Sequence, residues 1–272
     1  MAGHSATEGW APTGIDTSVP SIARVYDAML GGKDNFAVDR AVAEKVRGVL
    51  PISKESAWEH REVLARGVRY LTSQGIDQFL DLGSGLPTVQ NTHQVAQAAN
   101  PKARVVYVDN DPIVLTHGRA LLAGDARTKV VTADLRDPAD VLSRPEVREL
   151  IDLDRPLGLL LVGVVHHLAD TEDPAGVVKQ YLDAAAPGSF LFLTHFRSQP
   201  PTTDALEQVF LSMLGSGRFR TQTEIEALFE GLEMVEPGVV ELPRWRPDGP
   251  LPQATDGPSN LIAAGAGRKP AV

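Results

Sequence analysis

From Gln78 onward the chain alternates short apolar runs with helical stretches. The runs Phe79–Leu82, Val105–Val108, Val130–Thr132, Leu157–Val162 and Phe190–Leu193 are rich in Val and Leu and show little polar alternation, the pattern of strands buried on both faces. Three helices between them open on Asp-Pro, at Asp111-Pro112, Asp137-Pro138 and Asp173-Pro174. Asp suits an N-cap, and Pro suits a first turn where no N–H donor is needed. Such alternation predicts a mostly parallel sheet with helices on both faces. Upstream, two short helical patterns lie between Pro20 and Leu50, separated by Gly31-Gly32-Lys33-Asp34-Asn35-Phe36. A longer helix starts with Ser53 as N-cap, sets Leu64, Val68 and Leu71 on one face and stops at Gly75. Downstream, Asp204–Leu214 and Thr221–Phe229 read as helices, the second with a Thr221/Glu224 capping box. Met234–Leu242 and Leu261–Ala264 read as closing strands joined by the Pro/Gly-rich loop Pro247–Pro258. The expected organisation is a disordered or loosely attached N-terminus (1–16), a helical extension (17–75) and an α/β core (76–272).

Composition narrows the function classes. With 272 residues, 43% of them hydrophobic, the chain can bury one sizeable core. A formal net charge of −9 disfavours a broad phosphate-binding surface, and with it a nucleic-acid partner. The absence of cysteine excludes disulfides, thiolate nucleophiles and Cys-ligated metals. The longest apolar run, Leu157–Val165, has nine residues, against about 20 for a bilayer span. With no basic start followed by an apolar run, the chain is expected to be cytoplasmic, without a membrane partner.

The chemistry concentrates in Phe79-Leu80-Asp81-Leu82-Gly83-Ser84-Gly85-Leu86-Pro87-Thr88, a buried strand running through Gly-x-Gly into a helix. Glycines there permit a tight turn and let a ligand approach the backbone where a side chain would block it. The loop alone suits NAD, FAD or S-adenosylmethionine (SAM), and further features bear on the choice. Asp81 stands where dinucleotide loops commonly carry an apolar residue, and a carboxylate there suits the cationic amino end of a bound amino acid. Thr88 occupies the place of the third fingerprint glycine, after Pro87, so no special provision for a pyrophosphate exists. The next strand ends in Asp109, followed by Asn110, 24 residues after Gly85, where a carboxylate can accept both ribose hydroxyls, a feature that fits NAD and SAM equally. The third strand ends in Asp134-Leu135: the acid is placed to accept from the adenine amino group, and Leu135 to pack on the ring. All three acids fall at the carboxyl edge of the sheet, where open α/β sheets bind ligands.

These stretches resemble the class I SAM-dependent methyltransferases, and within them an actinobacterial S-adenosyl methyltransferase family formerly catalogued as a domain of unknown function. The resemblance rests on Tyr26–Arg40 (YDAMLGGKDNFAVDR), Gln78–Thr88 (QFLDLGSGLPT), Val105–Pro112 (VVYVDNDP), Ala133–Pro138 (ADLRDP) and Gly188–His195 (GSFLFLTH), spread over most of Pro20–Lys269. It implies a Rossmann-like, seven-stranded, mostly parallel sheet with an antiparallel final strand, an N-terminal helical extension, and SAM across the carboxyl edge. It names no acceptor. The expected activity is methyl transfer to an unidentified small molecule. The alternatives are a non-catalytic SAM-binding or interaction module and an NAD(P)-dependent oxidoreductase, against which Asp81 and the missing third glycine weigh.

Methyl transfer depends on proximity and alignment more than on acid–base groups, and a base is needed only if the acceptor carries a proton. After the fourth strand, Val164 adjoins the methyl position, and His166 and His167 are candidates to orient or deprotonate an acceptor, although histidines at a sheet mouth also serve simply to pack. His195 is a similar candidate after the fifth strand. No ligand spacing accompanies these histidines, so no metal is expected. Tyr26 is the third catalytic candidate. With Asp27 and Gly31–Phe36 it precedes the core, and the resemblance favours a lid over an ordinary helix–loop–helix. Trp58, Trp245 and Arg246 could wall an acceptor site or merely pack.

Overall fold

In the computed structural model, residues 15–88, 90–121, 124–250 and 261–271 are described. The expectation for 1–14, and most of the loop at 247–258, lie outside the described residues. The five apolar runs form the parallel strands β1 (Gln78–Leu82), β2 (Arg104–Asp109), β3 (Thr128–Thr132), β4 (Gly158–Val162) and β5 (Phe190–Phe196). The last strand, β8 (Ile262–Arg268), runs antiparallel to β5. Between β5 and β8 in sequence come two short strands, β6 (Glu233–Met234) and β7 (Val240–Glu241), both pairing antiparallel with β8. The sheet order is β3-β2-β1-β4-β5-β8-β6, with β7 also on β8. Met234–Leu242 is therefore two short strands rather than one. Pro237 has no N–H for a ladder, and the turn through it closes with Gly238 N donating to Val235 O at 2.8 Å.

Ten helices flank the sheet among the described residues: α1 (Ile22–Leu30), α2 (Ala37–Val49), α3 (Ser53–Ser73), α4 (Thr92–Ala99), α5 (Pro112–Leu121), α6 (Pro138–Ser143), α7 (Pro145–Leu150), α8 (Pro174–Ala184), α9 (Asp204–Leu214) and α10 (Gln222–Ala227). Each Asp-Pro pair opens a helix as the pattern predicts. Asp137 and Asp173 accept from the backbone N–H groups of Asp140 and Gly176, and Asp111 from that of Ile113. Ser53 is the first helical residue of α3 rather than its cap, which is Ile52. Thr221 caps α10 through the expected box with Glu224.

Alternation along the strands divides the core. Leu80, Leu82, Val106, Leu159 and Leu191 face α8 and its neighbours on one side, while Phe79, Val105, Leu160 and Phe192 face α3 on the other. α3 comes close to the sheet at Gly67, where a Cβ would lie 2.6 Å from the Phe192 ring. A third cluster joins Val25, Val42, Val46, Leu206, Phe210 and Phe219, so that α1, α2 and α9 pack as a helical cap. Buried Asp39 accepts from the backbone N–H groups of Ser21 and Phe36 and pairs with Arg24, tying the starts of α1 and α2 together.

Candidate functional site

The carboxyl ends of β1 to β4 open into a cavity of about 700 Å³, within the range of roughly 300–1,000 Å³ common for small-molecule sites. Asp81, Gly83, Ser84, Gly85, Asp109, Asn110, Asp134, Leu135 and Val164 all line it. The turn after β1 is fixed by Gly83 N and Ser84 N, which donate to Val108 O at 2.8 and 3.1 Å. Gly83 and Gly85 both have positive φ, 69° and 66°, a region costly for side chains. Their surroundings differ. A Cβ on Gly83 would lie 2.3 Å from Val164 Cγ2, whereas one on Gly85 would meet nothing within 4 Å. What a side chain at Gly83 would strike first is therefore Val164; Gly85 is the glycine open to the cavity.

Asp109 is oriented by two backbone donors: Gly85 N reaches Oδ2 at 2.8 Å and Asp111 N reaches Oδ1 at 2.9 Å. Each oxygen keeps a lone pair for a further donor. Burial raises its pKa. Asp81, 5% exposed, accepts from Thr92 Oγ1 at 2.7 Å, and burial pushes its carboxyl up to about 6. Between these acids the Ser84 hydroxyl is buried without a hydrogen-bond partner among the described residues. Both oxygens of Asp134 are held by Arg136, which also reaches Glu172; the Arg136 hydrogen bond keeps its pKa low. Pro87 and Thr88 are not brought to this cavity. They line a smaller one of about 160 Å³ beside it, which shares Arg61, Asp81, Ser84 and Gly85.

A 3-10 turn, Val165–His167, follows β4 and carries both histidines to the cavity wall. The His166 ring, 2% exposed, lies 4.9 Å edge-on from Phe196 and has its Nδ1 buried without a partner among the described residues. His167 stacks on Phe210 with ring planes 7° apart, and its Nδ1 is 2.9 Å from Ser216 Oγ. Burial lowers the pKa of both, to about 4 for His167, so both are neutral near pH 7. Tyr26 also lines the cavity, but its hydroxyl donates to Ala57 O at 3.0 Å, and burial raises its pKa to about 12.

Other expected wall residues sit elsewhere. His195 is fully buried and does not line the cavity; its Nδ1 donates to Phe196 O, and its Nε2 accepts from Arg220 at 3.0 Å. None of Gly31–Phe36 lines it either: that loop wraps the Asp27 carboxylate, which accepts from Asp34 N and Asn35 Nδ2 at 2.9 and 2.8 Å. The covering residues instead come from Ile15 to Met29, and Ser21 at the head of α1 hydrogen-bonds Asp111 beyond β2. Trp58 is 40% exposed; Trp245 is packed inside on Tyr70 and Phe192, and Arg246 stacks over the Tyr70 ring. None of the three lines the cavity. Among the described residues no His, Asp and Glu group could hold a metal ion, and no helix is long and apolar enough to cross a membrane.

Sequence reasoning missed His60, whose Nε2 is 2.5 Å from Thr194 Oγ1 and whose pKa burial depresses to about 3. It also missed Phe210 and Ser216. A signal for His60 existed: Ser53, Ser56, His60 and Leu64 recur at helical spacing along α3 and all line the cavity.

A family model described as S-adenosyl methyltransferase matches residues 8–270. A presumed methyltransferase from Thermobifida fusca is 54% identical with a TM-score of 0.92, the match covering 97% of this chain and 100% of that one. A DUF574 family protein from Streptomyces avermitilis is 37% identical with a TM-score of 0.89, covering 94% and 99%. Human N-acetylserotonin methyltransferase, solved in complex with SAM, shares the fold at 14% identity and a TM-score of 0.50, covering 90% of this chain and 62% of that one. A search of curated proteins finds no match.

Proposed function

The chain belongs to the S-adenosyl methyltransferase family, its cofactor is SAM, and from that premise we propose that it transfers the methyl group to a small-molecule acceptor bound in the same cavity. The observation that carries this reading is the open face at Gly85, set between the backbone-oriented Asp109 carboxylate and the Ser84 hydroxyl, which has no hydrogen-bond partner among the described residues. These groups fit a ligand that brings its own hydroxyl donors and passes close to the backbone. Asp109 would accept the ribose hydroxyls, Asp81 would face the amino end, and Asp134 with Leu135 would meet the adenine. Asn110 and Val164 would complete the wall, and Gly83 would hold the loop against Val164. Pro87 and Thr88 shape the start of α4, where Thr88 N donates to Asn91 Oδ1.

The bound cofactor supplies an electrophilic methyl on a sulfonium. That methyl would be available for in-line transfer to an acceptor held in the same cavity. For a protonated acceptor, the proton goes to a neutral imidazole. His167 suits this role: with Nδ1–H donating to Ser216 Oγ, Nε2 would carry the free lone pair of a ring that lines the cavity. His166 and Tyr26 shape the wall around it, Tyr26 with its hydroxyl already committed. Calorimetric titration of cofactor-free protein with SAM, S-adenosylhomocysteine and NAD(P)H tests the reading. Binding of the first two alone is expected. Binding of NAD(P)H alone sinks it.

A further inference from the structure

The cavity has two chemically distinct ends. Its charged lining sits at the strand edge, where Asp81, Asp109, Asp111 and Asp134 gather, Asp134 already paired with Arg136. Arg61 stands beside Asp81, bordering both cavities, and Arg24 is committed to Asp39 and the Asp16 carbonyl. The opposite walls, contributed by α2, α9, the 3-10 turn and the end of β5, carry no carboxylate, ammonium or guanidinium among their described lining residues. They present Leu206, Phe210 and Leu214 with the rings of Phe196, His166 and His167. The rings pack on one another, His167 face to face with Phe210 and His166 edge-on to Phe196. Ser216 supplies a polar atom at this end.

An ion placed against these walls would lose its hydration with no countercharge, at a cost of several kcal/mol. A flat apolar body would instead bury its faces against aliphatic and aromatic side chains. Resting on the methyltransferase reading above, we propose that this end is the acceptor chamber and that the acceptor is an uncharged aromatic molecule bearing a hydroxyl. The hydroxyl lies toward His167 and Ser216, and the ring lies against the apolar wall of Leu206, Phe210 and Leu214.

The test is titration of the full chain with 2-naphthol and with its carboxylated counterpart 6-hydroxy-2-naphthoate, each with and without S-adenosylhomocysteine. 2-Naphthol is expected to bind at least about tenfold more tightly than the anion. In Leu214→Asp, a half-buried wall position, naphthol affinity falls about tenfold or more, while S-adenosylhomocysteine affinity and the unfolding midpoint stay near wild type. Phe210→Leu gives a second, milder loss. Failure of 2-naphthol to bind, equal or tighter binding of the anion, or indifference to Leu214→Asp overturns the proposal. If S-adenosylhomocysteine binds and naphthol does not, the chamber assignment falls and the methyltransferase reading stands. If naphthol binds in a Leu214-dependent way and S-adenosylhomocysteine does not, the reverse holds.

Discussion

Asp81 is 5% exposed and titrates at about 6 against an ordinary 3.8, chiefly because burial penalises its charge. A carboxyl raised in the folded state contributes stability fully present below about pH 3.8 and lost as pH rises through about 6. The apo protein therefore carries a strained carboxylate at neutral pH, worth up to about 3 kcal/mol, which a cationic ligand group would relieve. SAM affinity is accordingly expected to fall about tenfold per pH unit below pH 6. Calorimetry across pH 4.5–7.5 (a range set around about 6) checks this, and Asp81→Asn should flatten the profile. The paired glycines give a second contrast. Gly85→Ala meets no neighbour, so it should lose only the roughly 1–2 kcal/mol of a left-handed residue while weakening SAM binding. Gly83→Ala adds the collision with Val164 and should unfold at distinctly lower denaturant. Equal unfolding midpoints would contradict the distinction. Asp109→Ala removes the proposed ribose acceptor and also leaves Gly85 N and Asp111 N unanswered. It should lose SAM affinity by roughly 1.5–3 kcal/mol per missing bond and some stability besides.

At the scale of elements, the histidine turn is held from behind. Arg220, 3% exposed, donates to Val165 O and Leu168 O on either side of His166 and His167, and to His195 Nε2, while pairing with Asp170. Asp170 is 61% exposed, so the ion pair itself is partly solvated and the carbonyl bonds carry the brace. Arg220→Met should destabilise by about 4 kcal/mol or more, from the charged hydrogen bonds to Val165 O, Leu168 O and His195 Nε2 lost together. SAM affinity should change little, because Asp81 and Asp109 stand on other strands. Denaturant melts paired with SAM titration separate the two effects, and a large loss of SAM affinity would show that the turn also shapes the cofactor end. The cover works similarly: α1 is tied to the core by Ser21 on Asp111 and by Asp39, which makes it a wall of the folded protein.

Across the whole molecule, one cavity spans a polar strand edge and an apolar helical cap, so ligand and fold are linked. S-adenosylhomocysteine at about 100 times its dissociation constant adds about 2.7 kcal/mol, which for a chain of this size should raise Tm by roughly 5–10 °C. A shift near zero at saturation would mean that the ligand does not select the folded state.

Strands β1 to β5, their parallel order and the three Asp-Pro helix starts were legible in the sequence, because a doubly buried strand must be apolar along its length and a helix start must satisfy its own N–H groups locally. The cavity-lining residues Asp81, Gly85, Asp109 and Asp134 were legible for a related reason: each sits at or just after the end of its strand, so sequence position fixes spatial position. Such local rules gave less purchase on the apolar end of the cavity. His166 and His167 were legible because they follow β4 directly, but Phe210, Ser216 and His60 come from other parts of the chain, and each reads alone as ordinary core or loop. The same limit left His195 and Trp245 open between cavity wall and packing, and their burial depends on Arg220 and Tyr70 arriving from elsewhere. It misread Gly31–Phe36 as well, a loop that the Asp27 carboxylate draws onto itself. Sequence by itself determined the parallel strands and the acidic residues at their carboxyl edge, through contacts between near neighbours. Only the tertiary structure decided the chamber beside it, because its walls exist only when α1, α2 and α9 pack over the carboxyl ends of β4 and β5.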